Sequence, residues 1–281
     1  VASGLLVLGL ATVGTGASSA TDGSGRVGNE TCESCHDEVV RAFRSSVHWK
    51  ADPVESCEGC HGPGEAHANE ADPALILRFG EDTSTTERNG ACLECHGRDR
   101  KVRHYASGDH GLSTVACVRC HSPHGSTRES LLVRETPGLC YECHPNARAE
   151  FALNERHPVE QGGIDCQDCH DPHGRSQRSV LGGFKQEMCL RCHTEHRGPW
   201  VFEHEAVAVE GCGSCHVPHG SVNRHLLTYQ RAGDLCLQCH PEQPFFHDLT
   251  DASGARTSSY NVCTNCHVAI HGSNNDALFL N

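Results

Sequence analysis

The sequence predicts an elongated, mostly irregular fold with short α-helices and little or no sheet, organised around something other than a conventional hydrophobic core. Three observations carry this expectation. Hydrophobic residues make up 37% of the chain, and setting aside its twenty cysteines leaves about 30%, thin for a single core in 281 residues. Twenty-nine glycines and twelve prolines punctuate the chain. The cysteines themselves recur in one fixed spacing from end to end.

They fall as Cys32/Cys35, Cys57/Cys60, Cys92/Cys95, Cys117/Cys120, Cys140/Cys143, Cys166/Cys169, Cys189/Cys192, Cys212/Cys215, Cys236/Cys239 and Cys263/Cys266. Each pair is C-x-x-C, and each second cysteine is followed at once by a histidine: His36, His61, His96, His121, His144, His170, His193, His216, His240 and His267. C-x-x-C-H is the attachment signature of c-type haem. Two thiols three residues apart can each form a thioether to one vinyl group of a porphyrin, and the adjoining imidazole supplies the fifth iron ligand. Zinc sites and redox dithiols also use C-x-x-C, but neither requires histidine after every pair. A disulfide framework closed across two intervening residues would staple nothing distant. The chain is therefore expected to carry ten haem c groups, whose faces supply the buried apolar area that the side chains lack.

One helix is expected locally. After His36, Val40, Phe43 and Val47 recur at i, i+3 and i+7, a single apolar stripe leading toward His48.

Residues Val1 to Ala20 hold no charge, include the apolar run Leu5 to Leu10 and end in Ser18-Ser19-Ala20, which reads as a secretory leader lacking its start. A short membrane anchor is the alternative, though the run is shorter than the ~20 residues a span requires. An exported mature part from about Thr21 follows. Its formal charge of -13 makes nucleic acid an improbable partner.

A repeat organises the middle of the chain. His110, His157 and His204 stand 47 residues apart, each shortly before a haem motif that runs into Pro-His-Gly, at Pro123-His124-Gly125, Pro172-His173-Gly174 and Pro218-His219-Gly220. A second motif follows in every unit. A degenerate copy upstream has His48 before Cys57 and His67 after it, within Gly62-Pro63-Gly64-Glu65-Ala66-His67. The expected organisation is a leader over 1–20 and one ten-haem domain over 21–281. Within that domain lie a cap near 32–47, two-haem modules near 48–103, 104–156, 157–203 and 204–246, and a final cap over 247–281. Stacked repeats of this kind contact mainly their neighbours.

Of 23 histidines, thirteen lie outside the motifs, and ten irons need ten sixth ligands. The repeat selects His48, His67, His110, His124, His157, His173, His204 and His219; His247 and His271, near the last motif, complete the set. His104, His196 and His225 fall outside the pattern and are expected on the surface. The single methionine, Met188, adjoins Cys189 and is badly placed to ligate. All-histidine coordination fills both axial positions, keeps potentials low and leaves no open iron for a substrate, so the chain is read as an electron carrier and not an enzyme. Two imidazoles on opposite faces of one iron hold their α-carbons roughly 12 Å apart, whereas a three-residue step spans at most about 10.5 Å. His124, His173 and His219 must then serve haems other than those of His121, His170 and His216.

Ten C-x-x-C-H motifs, the leader, the repeated C-x-x-C-H-x-Pro-His-Gly units and the terminal Cys263-Thr264-Asn265-Cys266-His267-Val268-Ala269-Ile270-His271-Gly272 resemble the periplasmic decahaem cytochromes of the MtrA/DmsE family. The resemblance implies an elongated haem wire threaded into an outer-membrane β-barrel porin, periplasmic and passing electrons between other cytochromes and acceptors or reductases outside. It also implies proximal roles for the motif histidines and distal roles for those of Pro-His-Gly; the first repeat departs from that pattern. The competing expectations are a soluble or filament-forming carrier without a barrel, and a multihaem oxyanion reductase.

Overall fold

The computed structural model describes residues 25–51, 56–174, 186–241 and 263–280. The expected leader and His247 lie outside them. The chain divides into two compact units, Val1–Thr83 and Ser84–Asn281.

In the first unit, α1 (Asn29–Phe43) carries the first motif and buries Val40 and Phe43. Val47 departs from the predicted stripe and is 63% exposed. The helix stops at Phe43, the chain turns through Arg44–Ser46, and the Ser46 hydroxyl accepts the His48 N–H at 3.2 Å as α2 (Val47–Ala51) begins on a new axis. The period of 3.6 that would align Val47 with Val40 is broken by that turn. Two short helices follow, α3 (Glu58–His61) and α4 (Glu65–Glu70). Glu58 is 1% exposed, and its carboxylate accepts from the backbone nitrogens of Val27 at 3.0 Å, Gly28 at 2.9 Å and Gly64 at 2.8 Å. One side chain thereby ties two segments of irregular backbone, Val27–Gly28 and Gly64, to the second motif.

The second unit opens with α5 (Thr85–His96), started by a capping box in which Ser84 and Glu87 exchange side-chain and backbone hydrogen bonds. The remaining helices are single turns or little more: α6 (Asp109–Leu112), α7 (Gly138–Tyr141), α8 (Pro145–Glu150), α9 (Cys166–Cys169) and α10 (Ala232–Cys236), interspersed with 3-10 turns. Sheet is confined, among the described residues, to β1 (Glu155–Arg156) antiparallel to β2 (Gly220–Ser221) and a few isolated bridges. The fold is thus mostly irregular with short helices, as the composition requires. The fully buried apolar side chains among the described residues are Val40, Phe43, Tyr105, Ala116, Phe151 and Val159, too few to hold a chain of this size. No described helix is long and apolar enough to cross a membrane.

Candidate haem-binding sites

Each motif beyond α1 and α5 closes as a single helical turn in which the histidine N–H bonds back to the carbonyl of the first cysteine. The distance is 2.9 Å for His61 to Cys57, 3.0 Å for His121 to Cys117 and 2.8 Å for His170 to Cys166. The same bond recurs from His144, His193, His216, His240 and His267. One turn places residues i, i+3 and i+4 on one face, so both thiols and the imidazole present themselves together.

The thiols also meet between motifs. The first cysteines pair as hydrogen-bonding neighbours: Cys32 with Cys57, Cys92 with Cys117, Cys140 with Cys166, Cys189 with Cys212 and Cys236 with Cys263. The alternate junctions each include a second cysteine, with Cys120 in electrostatic range of Cys143, Cys169 of Cys189 and Cys192, and Cys215 of Cys236. Burial and the neighbouring thiol push Cys57 and Cys140 up to about 12, while the hydrogen bond from Cys92 holds Cys117 down at about 7. Thioether formation removes these protons altogether. Asparagine brackets two of the junctions. Asn29 Oδ1 accepts from the backbone nitrogen of Cys57 at 3.1 Å, and Asn89 Oδ1 accepts from that of Cys117 at 2.9 Å.

Cys35 and Cys95 lie within α1 and α5, and Cys60 and Cys239 close their turns with N–H bonds to the carbonyls of Cys57 and Cys236, both at 3.2 Å. Every first cysteine is half-buried. Cys35, Cys95, Cys239 and Cys266 are exposed, whereas Cys60 is half-buried. The first thiol turns into the junction with a neighbouring motif, and at Cys35, Cys95 and Cys239 the second turns outward. An outward thiol keeps the access that reaction with a porphyrin vinyl group requires.

Seven motif histidines face a second histidine. Ring centroids lie 6.1 Å apart for His36 and His67, 5.9 Å for His121 and His173, 6.1 Å for His144 and His110, and 5.9 Å for His170 and His219. The other three are 6.2 Å for His193 and His157, 6.2 Å for His216 and His271, and 6.3 Å for His240 and His204. A metal–imidazole bond of about 2.0 Å on each side would leave two ring centroids about 6 Å apart. The spacing therefore fits one iron between each pair. In six pairs the second member is one that the repeat pattern singles out, and in the seventh it is His271, chosen for its place near the last motif.

The outer ring nitrogens fit the same arrangement. Nδ1 meets a backbone carbonyl for His61 (Leu77, 2.7 Å), His121 (Ser130, 2.7 Å), His216 (His225, 2.8 Å) and His267 (Leu278, 2.5 Å). The same holds for His67 (Asp72, 2.9 Å), His110 (Pro172, 2.9 Å) and His157 (Pro218, 2.5 Å). A carbonyl can only accept, so Nδ1 carries the proton and Nε2 keeps the lone pair that binds metal. Burial and a facing imidazole push His170, His173, His204 and His271 toward the neutral, ligating form.

Pro-His-Gly now has a part for each residue. The Pro172 and Pro218 carbonyls hold His110 and His157 from the preceding repeat, and His173 and His219 face the first motif histidines of that repeat. The glycine permits the close approach. A Cβ on Gly174 would come within 2.5 Å of the Gly108 α-carbon, and one on Gly220 within 2.0 Å of the Glu150 carbonyl oxygen.

The histidines outside the pattern also have places. His225 contributes its carbonyl to His216, and His104 Nε2 accepts from Arg103 Nε at 3.0 Å. His196, expected on the surface, is half-buried with its ring 4.1 Å from that of His271, because the chain end folds back over the 3-10 turn Thr194–His196. His48 sits in α2, near Ser46. Glu58, Asn29, Asn89 and Glu150 were not singled out from the sequence.

Two comparisons with known proteins bear on these sites. A family described as a doubled CXXCH motif matches residues 110–149, 157–198 and 204–245. The chain is 34% identical over 268 residues to the multiheme cytochrome MtrA of Shewanella baltica, an alignment covering 88% of this chain and 79% of that protein. This chain belongs to the MtrA family of multihaem cytochromes. It is also 28% identical over 103 residues to the cytochrome c-type protein NrfB of Escherichia coli, covering 35% of this chain and 54% of that one. As a member of the MtrA family it binds haem c through its CXXCH motifs and transfers electrons. The three matched segments each hold two motifs and begin at His110, His157 and His204, the histidines that mark the 47-residue repeat.

Proposed function

We propose that this MtrA-family cytochrome carries ten haems, each with two axial histidines, and acts in the periplasm as the wire of an electron conduit through the outer membrane. The observation that carries the proposal is the succession of thiols. Within Ser84–Asn281, Cys92 meets Cys117, Cys140 meets Cys166, Cys189 meets Cys212 and Cys236 meets Cys263 as hydrogen-bonding neighbours, while Cys120 lies in electrostatic range of Cys143, Cys169 of Cys189 and Cys215 of Cys236. Each of these sulfurs is the rim of a porphyrin once attached, so eight consecutive cofactors would meet edge to edge. Bound haem supplies reversible one-electron chemistry.

The chain's own residues fix the rest. Both cysteines of every motif are the proposed thioether positions, the outward-facing Cys35, Cys95 and Cys239 and the half-buried Cys60 included. The motif turns set each ring's orientation, the facing histidines would supply both iron ligands at seven of them, and the carbonyls on Nδ1 of His67, His110, His121, His157 and His216 favour the ligating tautomer there. His48, His124 and His247 are the proposed sixth ligands for the remaining motifs. Saturated irons give an oxyanion no place to bind, which favours relay over reduction.

A surface of net charge -13 cannot meet lipid without leaving charges unsolvated at high cost. A β-barrel porin with a polar lumen removes that conflict, because its strands face lipid with alternate residues and the interior with the others. Other cytochromes would then serve as donor and acceptor. Liposomes enclosing a reducible dye, with an external reductant, test this in three preparations: cytochrome alone, barrel alone and both together. Dye reduction in the third alone is the expected result. Equal transfer by the cytochrome alone, or failure of any barrel to bind it, would replace the conduit by a carrier acting in solution. Intact mass settles the haem number, with ten increments expected.

A further inference from the structure

The facing pairs differ in what holds their outer nitrogens. Five of their histidines, His67, His110, His121, His157 and His216, point Nδ1 at neutral carbonyls, whereas His219 Nδ1 lies 2.7 Å from the Glu150 carboxylate, Oε2. His193 has a longer contact of 3.4 Å with Glu195. The Glu150 contact is built into the fold. Glu150 ends α8, its carbonyl packs against Gly220 so closely that no Cβ fits there, and β1 pairs with β2 through Glu155 with Ser221 and Arg156 with Gly220. Buried Phe151 lies beneath the imidazole with its ring centroid 5.0 Å from that of His219. Backbone and side chain of Glu150 are thus both fixed relative to His219. One repeat to either side, 47 residues away, stand Arg103 and Arg197, so of the three repeats this one alone has a carboxylate at that register position.

We propose that Glu150 is a positioning residue that acts through His219 to hold the haem on Cys166/Cys169 at a lower potential than its two neighbours on Cys140/Cys143 and Cys189/Cys192. This rests on the reading of His170 and His219 as the axial pair. A carboxylate accepts the Nδ1 proton more strongly than a carbonyl does, which makes Nε2 a better donor and favours ferric over ferrous iron. The succession of cofactors would then contain one uphill step near its middle, dividing it into two pools that fill separately.

The test is a potentiometric titration of the full haem-loaded protein, followed by absorbance, for wild type, Glu150→Gln and Glu150→Ala. Both variants should move one-tenth of the haem amplitude to less negative potential, favouring its reduction by about tenfold, or 59 mV for a one-electron couple. Glutamine keeps the shape and removes the charge, and alanine removes the acceptor without adding a donor. An unchanged curve in either fully loaded variant overturns the inference. His219→Ala separates the two levels of the argument. If it produces no high-spin ferric signal, the ligand reading itself fails; if it does and the Glu150 curves stay unmoved, only the tuning role fails.

Discussion

The imidazole of His173 lies 5.9 Å from that of His121, with ring planes within 18° of parallel, although in sequence it follows His170 by three residues. The short tether to His170 keeps it off that iron and delivers it to one in the preceding repeat. His173→Ala should therefore open the haem on Cys117/Cys120 and leave the one on Cys166/Cys169 six-coordinate. One high-spin haem in ten is expected by electron paramagnetic resonance, and a crystal structure of the variant identifies which. A vacancy on the Cys166/Cys169 haem would sink the assignment.

Asn89 is buried and works in three directions. Its Oδ1 accepts from Cys117 N, and its Nδ2 donates to the Tyr105 hydroxyl at 3.3 Å and the Val115 carbonyl at 3.2 Å. Asn89→Ala leaves the Cys117 N–H without its acceptor, and a loss of about 1–3 kcal/mol is expected from such a buried orphan. Thermal unfolding measures it. The haem count should be unchanged, because the cysteines are untouched.

Glu58→Gln is the corresponding experiment in the first unit. The glutamine matches the carboxylate in size but turns an N–H₂ toward at least one of the three backbone donors, so both a charge-assisted bond and a lone pair are lost. Destabilisation of about 2–3 kcal/mol is expected from these terms, again by thermal unfolding of fully loaded protein. A change within about 0.5 kcal/mol, the range of ordinary surface substitutions, would mean that the segment around Val27 is held by something else.

What the sequence made legible is what is local. C-x-x-C-H is readable because one helical turn brings its three ligating atoms together, and the mostly irregular fold follows from a chain with too few apolar residues to build a core. The repeat picked out His110, His157 and His204 because their spacing recurs. The facing partners were not readable, since His121 meets His173 and His216 meets His271 only after the chain has returned from the next repeat. The meeting of first cysteines from neighbouring motifs was equally hidden: nothing in the spacing brings Cys32 to Cys57. Val47 shows the converse error: a correct period continued past a turn that the period cannot reveal. Glu150 was invisible for a different reason. It is one of 36 acidic residues, and only the approach of Gly220 marks it.

The last prediction concerns order along the chain. Within Ser84–Asn281 the thiols of each motif lie within hydrogen-bonding or electrostatic range of the next motif's, so electrons would pass every cofactor in turn. A branched cluster would tolerate the loss of one member, and a single file would not. Cys166→Ala with Cys169→Ala removes the two thioether bonds of one central haem while leaving Cys140 and Cys189, its neighbours in the file, intact. The variant should carry nine haems by intact mass. In liposomes with the barrel partner, transfer to the enclosed dye should fall to the level of barrel alone, while the haems on the reductant side still become reduced at the wild-type rate. Retention of half or more of the wild-type transfer in a nine-haem protein would mean that a second route bypasses Cys166/Cys169, and the single-file reading would be wrong.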